Sequence, residues 1–287
     1  MAGDGAAQQK LPAVGPAIAC PSRDSVHVSA EGVSRVFAGS RPVHALGPLD
    51  LTLRRGEFFS VVGPSGCGKS TLLELIAGLN GPTEGRITID GRASVGRVPK
   101  GVGAVFQEDA SFDWLSVADN IAFGLRRAGV AASEVRRKVD YAINFMGLGA
   151  FAGAFPAQLS GGMRQRMCIA RTLVMEPQLI LLDEPFGALD QQTRLLMGDE
   201  LLRLWRSTGA TVLLITHSLD EATLLSDRIG VMSARPGRII EIIETGWARD
   251  RDSRIVSEAP FGAITGKLWT LLREESRKAM TQPDVKS

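Results

Sequence analysis

A nine-residue stretch, GPSGCGKST at residues 63–71, constrains the fold more than any other part of this sequence. It matches the phosphate-loop pattern G-x-x-x-x-G-K-[ST], and it lies between apolar runs that predict a strand at residues 58–62 and a helix at residues 72–77. The glycines let the backbone curl, so that successive N–H groups point at phosphate oxygens at the positive end of the following helix. We therefore predict a nucleotide site on an α/β sheet rather than a structural turn.

Two side chains in this stretch have predicted roles of their own. Lys69 is expected to reach the β- and γ-phosphates, and the Ser70 hydroxyl is expected to ligate Mg²⁺. A residue in the middle of such a loop contributes mainly its backbone, so no redox role is assigned to the cysteine. The other residues of the predicted nucleotide-binding set are Gly63, Pro64, Ser65, Gly66, Cys67, Gly68 and Thr71.

Polar residues follow two later apolar runs, at residues 179–182 and 212–215. Continuous apolar runs are typical of parallel strands covered on both faces, and doubly wound sheets bind ligands at the carboxyl ends of their strands. Asp183 suits a metal-binding acid, Glu184 could polarise the attacking water, and His217 is predicted to contact the γ-phosphate. The alternatives are a solvated acidic turn and a structural histidine.

The rest of the sequence contains no internal repeats, which predicts a single nucleotide-binding domain. Residues 1–24 are rich in Ala, Gly, Gln and Pro and are predicted to be a flexible extension. Residues 195–204 have helical spacing between the two apolar runs, which predicts an α/β sheet with a right-handed crossover. Helical segments at 117–125 and 135–146 predict a helical insert, and a weak amphipathic helix is predicted over 266–278, with Leu268, Leu271 and Leu272 on one side.

Composition narrows the possible partners. Lys and Arg number 33 against 31 Asp and Glu in 287 residues, so we expect no nucleic-acid partner. The three cysteines, Cys20, Cys67 and Cys168, form no CxxC pair, which fits a reducing compartment. We find no secretory signal and no run of about 18 apolar residues, so any action at a membrane would need a partner protein.

The segment LSGGMRQR at residues 159–166 resembles the signature motif of ABC ATPases. Ser160, Gly161 and Gly162 precede an amphipathic helix, so free N–H groups at a positive helix end are expected there. In this family the signature of one subunit closes over the γ-phosphate held by the other. The resemblance therefore implies ATP and Mg²⁺ as cofactors and a head-to-tail dimer with a second copy of the chain.

The resemblance covers about residues 26–240 and has further marks. Phe37 stands where the family has an aromatic that stacks on adenine, and Gln107 stands where it has the glutamine that links Mg²⁺ and water to the insert. Leu189 and Asp190 fit the loop that passes signals across the dimer. The implied fold is an α/β phosphate-loop NTPase core of ABC type with an antiparallel β subdomain. The implied domain spans residues 25–240, with its helical insert at about 110–170, and a partly helical extension follows at 241–287.

Finer features resemble the nitrate, sulfonate, taurine and bicarbonate importer group. They are Met163 after the two glycines, Trp114 after the Gln107 segment, PFGALD at 185–190 before Thr193 and Arg194, and ARPGR at 234–238. Asp113 departs from this group, which often has proline there, so the substrate subgroup stays open. The resemblance implies an ATPase on the cytoplasmic face of the inner membrane. It would drive uptake through a separate permease, with a periplasmic or lipid-anchored solute-binding protein.

Three alternatives were weighed against this interpretation. An exporter subunit is disfavoured by Trp114 and the 236–238 segment. Soluble ABC proteins of translation usually have two cassettes, and those of DNA repair have long coiled coils, neither of which is found in this sequence. A catalytically inactive cassette is disfavoured by the presence of both Glu184 and His217.

Overall fold

The computed structural model describes residues 25–94, 96–107 and 110–281. The extension predicted over residues 1–24 lies outside the described residues. Strands in the described part form two sheets, one of four strands and one of six. The strands are β1 Val26–Phe37, β2 Val43–Arg54, β3 Phe58–Val62, β4 Glu84–Ile89, β5 Arg92–Ala93, β6 Val102–Val105, β7 Leu179–Asp183, β8 Thr211–Ile215, β9 Arg228–Met232 and β10 Ile239–Glu244.

The six-stranded sheet determines where the site lies. Its order is β10-β9-β3-β8-β7-β6, with β9 to β6 parallel and β10 antiparallel at one edge. Every residue of β3, β7 and β8 is buried, as expected for strands covered on both faces. The ends of these three neighbouring strands lead into the phosphate-loop sequence, Asp183 and Thr216, so the predicted site residues converge on one edge.

Helices cover both faces of this sheet. They are α1 Lys69–Ile76, α2 Val117–Arg127, α3 Ala132–Phe145, α4 Gly161–Leu173, α5 Gln191–Thr208, α6 Leu219–Leu225 and α7 Ala259–Met280. On one face, α2 to α5 pack around a buried core in which Phe58 meets Trp205 edge to face, with ring centroids 5.7 Å apart. Helices α2 and α3 stand between β6 and β7, in the span predicted to be a helical insert. None of the described helices is long and apolar enough to cross a membrane.

The smaller, four-stranded sheet packs on the other face of the six-stranded sheet. The four-stranded sheet has the order β2-β1-β4-β5 and is antiparallel throughout, as the predicted β subdomain requires. Helix α1 lies between the two sheets and buries Leu72, Leu73, Leu75 and Ile76 in a shared core. Because α1 follows the phosphate-loop sequence directly, this packing holds the loop at the junction of the two sheets.

The sequence prediction ends the ABC domain at residue 240, and the structure differs at this boundary. Strand β10 crosses it and pairs with β9 as far as Glu244. Helix α7 begins at Ala259, earlier than predicted, and packs on the same sheet through the fully buried Leu268. Local periodicity is weak here because β10 is an edge strand with exposed apolar residues, and its pairing with β9 decides its place. Leu271 and Leu272 pack beside Leu268, on the side that the sequence predicted.

Candidate nucleotide site

The phosphate-loop sequence turns sharply into α1 at Gly68. This residue has φ 107° and ψ 13° and caps the helix. A Cβ placed on it would lie 2.7 Å from the Ala45 carbonyl oxygen of β2. Only glycine fits both the left-handed conformation and this close approach. The conformation and the close approach therefore explain why the motif has glycine at position 68. The N–H groups at the start of α1 are directed out of the helix end.

Lys69 is buried within its own loop, with 8% of its surface exposed. Its Nζ donates hydrogen bonds to the carbonyl oxygens of Gly63 and Pro64, both at 2.9 Å. The ammonium charge is thus held over the loop where phosphate oxygens would gather, as a phosphate-binding lysine requires. Burial raises the pKa of the neighbouring Cys67 thiol, although Lys69 opposes the shift, so this thiol stays protonated and unreactive at neutral pH.

Asp183 and Ser70 form the part of the site that fits a metal ion. Asp183 is 4% exposed, and its Oδ1 has no hydrogen-bond partner. Burial raises the pKa of Asp183, while a hydrogen bond with the Ser70 hydroxyl lowers it. A buried carboxylate oxygen without a donor is costly, and a hard cation such as Mg²⁺ with oxygen ligands removes that cost. Ser70 and Asp183, two of the three predicted metal-side residues, are therefore adjacent and chemically suited to Mg²⁺.

Glu184 sits next to His217, with Oε2 3.2 Å from the imidazole Nδ1. Its backbone is held on both sides, because its N–H donates to the Ile215 carbonyl at 2.8 Å and its carbonyl accepts from Gln165 Nε2 at 3.0 Å. The residue has a φ of 48°, which is uncommon for a residue other than glycine. Backbone strain of this kind is concentrated at functional sites.

A cleft of about 630 Å³ extends from the phosphate loop to Glu184. Besides loop residues from Ser65 to Thr71, it is lined by Phe37, Val43, Ala45, Gln107, Glu184 and Arg235. Phe37 is 37% exposed, and the Arg35 guanidinium lies 4.8 Å above its ring. The structure therefore brings the predicted adenine-side aromatic, the predicted glutamine and the phosphate loop to one cavity. The stacking role of Phe37 and the metal role of Gln107 stay predictions.

The predicted signature residues lie at the start of α4, as the sequence indicated. The Ser160 hydroxyl caps this helix by accepting a hydrogen bond from the Met163 N–H at 3.3 Å. Ser160 and Gly161 are exposed, and a Cβ on Gly162 would lie 2.6 Å from Leu189 of the predicted signalling loop. None of the three signature residues is among the described residues that line the 630 Å³ cleft. Gly161 lines a second cavity, of about 380 Å³, together with Gln107, Glu184 and His217.

Two residues of the site were missed as site residues by the sequence interpretation. Gln165 lies in the predicted signature helix and holds the Glu184 carbonyl. Arg235 was noted only as a mark of the importer group, yet its guanidinium reaches the Gly66 carbonyl. No local pattern predicts either contact. The second joins segments separated by 169 positions in the chain.

Comparison with known proteins decides the family. The family model for ABC transporters matches residues 46–187. An uncharacterized ABC transporter ATP-binding protein of Methanocaldococcus jannaschii is 42% identical over 264 residues, which cover 90% of this chain and 96% of the relative. The chain belongs to the ABC transporter ATP-binding family. This ABC cassette is also 46% identical to a taurine import ATP-binding protein of Pelagibacter ubique, over 76% of this chain and 83% of the relative.

Solved structures support the same assignment at the level of the fold. A dimeric ATP-binding cassette in a post-hydrolysis state, bound to ADP and Pi, is 31% identical to this ABC cassette. The TM-score is 0.69, and the match covers 76% of this chain and 98% of the other. The fold and family expected from the resemblance are therefore confirmed.

Proposed function

We propose that this ABC cassette hydrolyses ATP to power import of a small solute through a separate permease. The observation that carries the proposal is the convergence of Lys69, Ser70, Asp183, Glu184 and His217 on one edge of the sheet. A structural turn or a solvated acidic loop would not explain a buried carboxylate oxygen without a partner beside a phosphate loop. This arrangement supports a site that binds Mg²⁺-ATP on one side and activates water on the other.

The chemistry follows from the positions of these residues. The loop N–H groups and Lys69 would hold the phosphates of ATP, and Ser70 and Asp183 would hold Mg²⁺, which would supply positive charge against the phosphate oxygens. Glu184 accepts the proton of the attacking water, and His217 beside it contacts the γ-phosphate. Gln107 lines the same cleft. It would ligate the metal ion and link it to the helical insert.

The second copy of the chain is proposed from the exposed helix end. Ser160 and Gly161 are exposed at the positive end of α4, and neither lines the cleft that holds the phosphate loop of their own chain. A helix end of this kind can bind an anion, and the γ-phosphate held by a second cassette would supply it. The related cassette with ADP and Pi is described as dimeric. We therefore propose a head-to-tail dimer.

The permease is proposed to dock on the exposed aromatic cluster at the start of the insert. Trp114 is 73% exposed, and its ring lies 5.5 Å from Phe112, which in turn lies 4.6 Å from Phe123. Exposed aromatic groups of this kind mark protein interaction surfaces. The cluster follows the Gln107 segment directly, so a partner bound there would sense the nucleotide cleft.

The solute class and the cellular place are proposed from relatives and from the resemblance. The relative from Pelagibacter ubique is named for taurine import, and taurine is a sulfonate. We propose that this cassette serves a system of the sulfonate, taurine, nitrate and bicarbonate kind at the cytoplasmic face of the inner membrane. A periplasmic or lipid-anchored protein would deliver the solute to the permease.

Transport by the reconstituted complex tests the proposal. The cassette is placed in liposomes with the permease that co-purifies with it, and accumulation of labelled taurine is followed with and without ATP. Lys69→Ala should abolish accumulation, whereas Lys100→Ala, a change of the same kind at an exposed lysine, should not. ATP-driven loss of solute would identify an exporter instead. Absence of ATP hydrolysis in the parent complex would contradict the enzymatic function.

A further inference from the structure

A turn at residues 234–238 lies against the phosphate loop at the rim of the cleft. It begins two residues after the end of β9, and its Arg235 donates to the Gly66 carbonyl oxygen from both Nε and Nη2, each at 3.1 Å. The paired donors of a guanidinium fix the direction of the acceptor as well as its distance. Arg235 therefore controls the orientation of one peptide group of the loop.

The turn also meets the next carbonyl of the loop. A Cβ on Gly237 would lie 2.1 Å from the Cys67 carbonyl oxygen, so the backbone of the turn is in direct contact with that peptide. Peptide groups are planar, and a carbonyl held outward directs the N–H of the same group to the opposite side. The Gly66 carbonyl shares its peptide group with the Cys67 N–H, which donates to the Pro64 carbonyl at 3.4 Å, and the Cys67 carbonyl shares its peptide group with the Gly68 N–H. The two contacts therefore fix two successive peptide groups of the loop whose shape phosphate binding depends on.

Two other elements hold the 234–238 turn in place. Gly237 donates to the Ala45 carbonyl of β2 at 3.0 Å and accepts from the Gly47 N–H at 3.1 Å. On the other side, the Ala234 N–H donates to Glu275 Oε2 of α7 at 2.8 Å. The residue after Ala234 is Arg235 itself, so α7 contacts the backbone adjacent to the arginine that holds the loop.

Glu275 is a specific anchor rather than a surface carboxylate. It is 6% exposed, and its second oxygen accepts from Lys278 Nζ at 2.5 Å. Burial would raise the pKa of Glu275, but the hydrogen bonds from Lys278 and from the Ala234 N–H outweigh it and leave the pKa below its ordinary value. Glu275 is therefore charged at neutral pH, and its bond to the Ala234 N–H is charge-assisted.

We propose that Arg235 is a positioning residue for the phosphate loop, and that α7 holds Arg235 through Glu275, so that the C-terminal helix sets the affinity for ATP. This inference rests on the proposed function of the cleft as an ATP site. It gives the segment after residue 244 a task in nucleotide binding, although that segment lines no part of the cleft among the described residues.

Equilibrium binding of a fluorescent ATP analogue to the full-length chain, together with steady-state ATPase kinetics, tests the inference. Arg235→Ala should raise the dissociation constant roughly ten-fold, the scale of one or two lost hydrogen bonds, and should raise KM while kcat stays within about two-fold. Arg235→Lys should recover only part of the affinity, because one ammonium cannot reproduce the paired geometry.

The anchor is tested with three changes on α7. Glu275→Ala should weaken ATP binding in the same direction, whereas Glu275→Gln should stay near the parent because its amide oxygen still accepts from Ala234. Glu274→Ala removes an exposed carboxylate from the adjacent position and should have no effect. Circular dichroism at the assay temperature checks that each variant is folded. If Glu275→Ala does not fold, the role of Arg235 is still decided by Arg235→Ala and by the double variant that combines Arg235→Ala with Glu275→Gln.

The combined variant separates a coupled path from two separate effects. If Glu275 acts through Arg235, the double alanine variant should bind ATP about as weakly as Arg235→Ala alone. If the effects of Arg235→Ala and Glu275→Ala on the dissociation constant multiply in the double variant, the link to α7 is wrong. A Glu275→Ala protein with parental affinity beside a weakened Arg235→Ala protein would mean that Arg235 contacts nucleotide directly. Parental affinity in Arg235→Ala would overturn the whole inference, whereas failure of the parent chain to bind ATP would contradict the proposed function instead.

Discussion

Glu184→Gln tests most sharply whether the cassette is a working ATPase. The change keeps the size of the side chain and an acceptor oxygen, but the amide cannot accept a proton at neutral pH. It should leave the local structure intact, because the Glu184 backbone is held by Ile215 and Gln165 rather than by its side chain. The φ of 48° is equally strained for glutamine, so the substitution adds no backbone cost.

The expected size of the effect follows from the assigned role. A positioned general base contributes about 10²–10⁴-fold to the rate, or roughly 3–5 kcal/mol of barrier. Hydrolysis should fall by that order, whereas binding should persist because Lys69, Ser70 and Asp183 are unchanged. Removing a negative charge near the phosphates can only reduce repulsion. With hydrolysis blocked, ATP should hold two cassettes together long enough to double the mass seen in size-exclusion chromatography.

Two comparisons make the assay specific. Asp183→Asn should lose Mg²⁺-dependent nucleotide binding and never accumulate the dimer, because the buried oxygen that fits the metal is replaced. Glu84→Gln, the same change at an exposed position, should leave both rate and mass unchanged. Phosphate release is measured at saturating Mg²⁺-ATP with the permease present. A Glu184→Gln protein that hydrolyses ATP near the parental rate would refute the assignment, since another group would then activate the water.

Three further predictions concern other parts of the molecule. Phe37→Ala should weaken nucleotide binding by about 1–3 kcal/mol with turnover at saturating ATP largely kept, and equal affinity measured by titration would show that the ring does not stack on adenine. Mixing Lys69→Ala with Ser160→Arg chains in permease-containing membranes should restore partial ATPase activity, because one composite site of the heterodimer is intact; verified heterodimers without activity would contradict the shared site. Burial, together with the charge of Arg55, lowers the pKa of His27 from 6.5 to about 4. Between these two pH values the unfolded chain binds a proton that the folded chain does not bind. The free energy of unfolding should therefore decrease as pH falls through this window. Urea unfolding should show the parent losing about 2 kcal/mol more than His27→Asn between pH 7.5 and pH 5, and equal losses would show that His27 does not titrate in this way.

Much of the candidate site could be located from sequence because its chemistry is local. The phosphate loop is one continuous stretch, and its shape depends on glycines such as Gly68 and on the helix that follows them. Asp183 ends a strand that is buried on both faces, and His217 comes two residues after another. Such strands have an unbroken apolar sequence, so the sequence could place both residues at strand ends. Ser160 was placed at a helix start because the capping residue and the apolar stripe lie within a few positions of each other.

The tertiary structure decided what depends on contacts between distant segments. Strand β10 belongs to the main sheet because it pairs with β9, which local periodicity does not reveal for a short edge strand. Arg235 reaches Gly66 because the sheet places β9 beside β3, and Glu275 reaches Ala234 because α7 packs on that same edge. The sequence by itself determined which residues can bind a nucleotide, since their chemistry depends on neighbours along the chain. Only the folded sheet decided which distant residues contact the loop, since strand order sets those contacts.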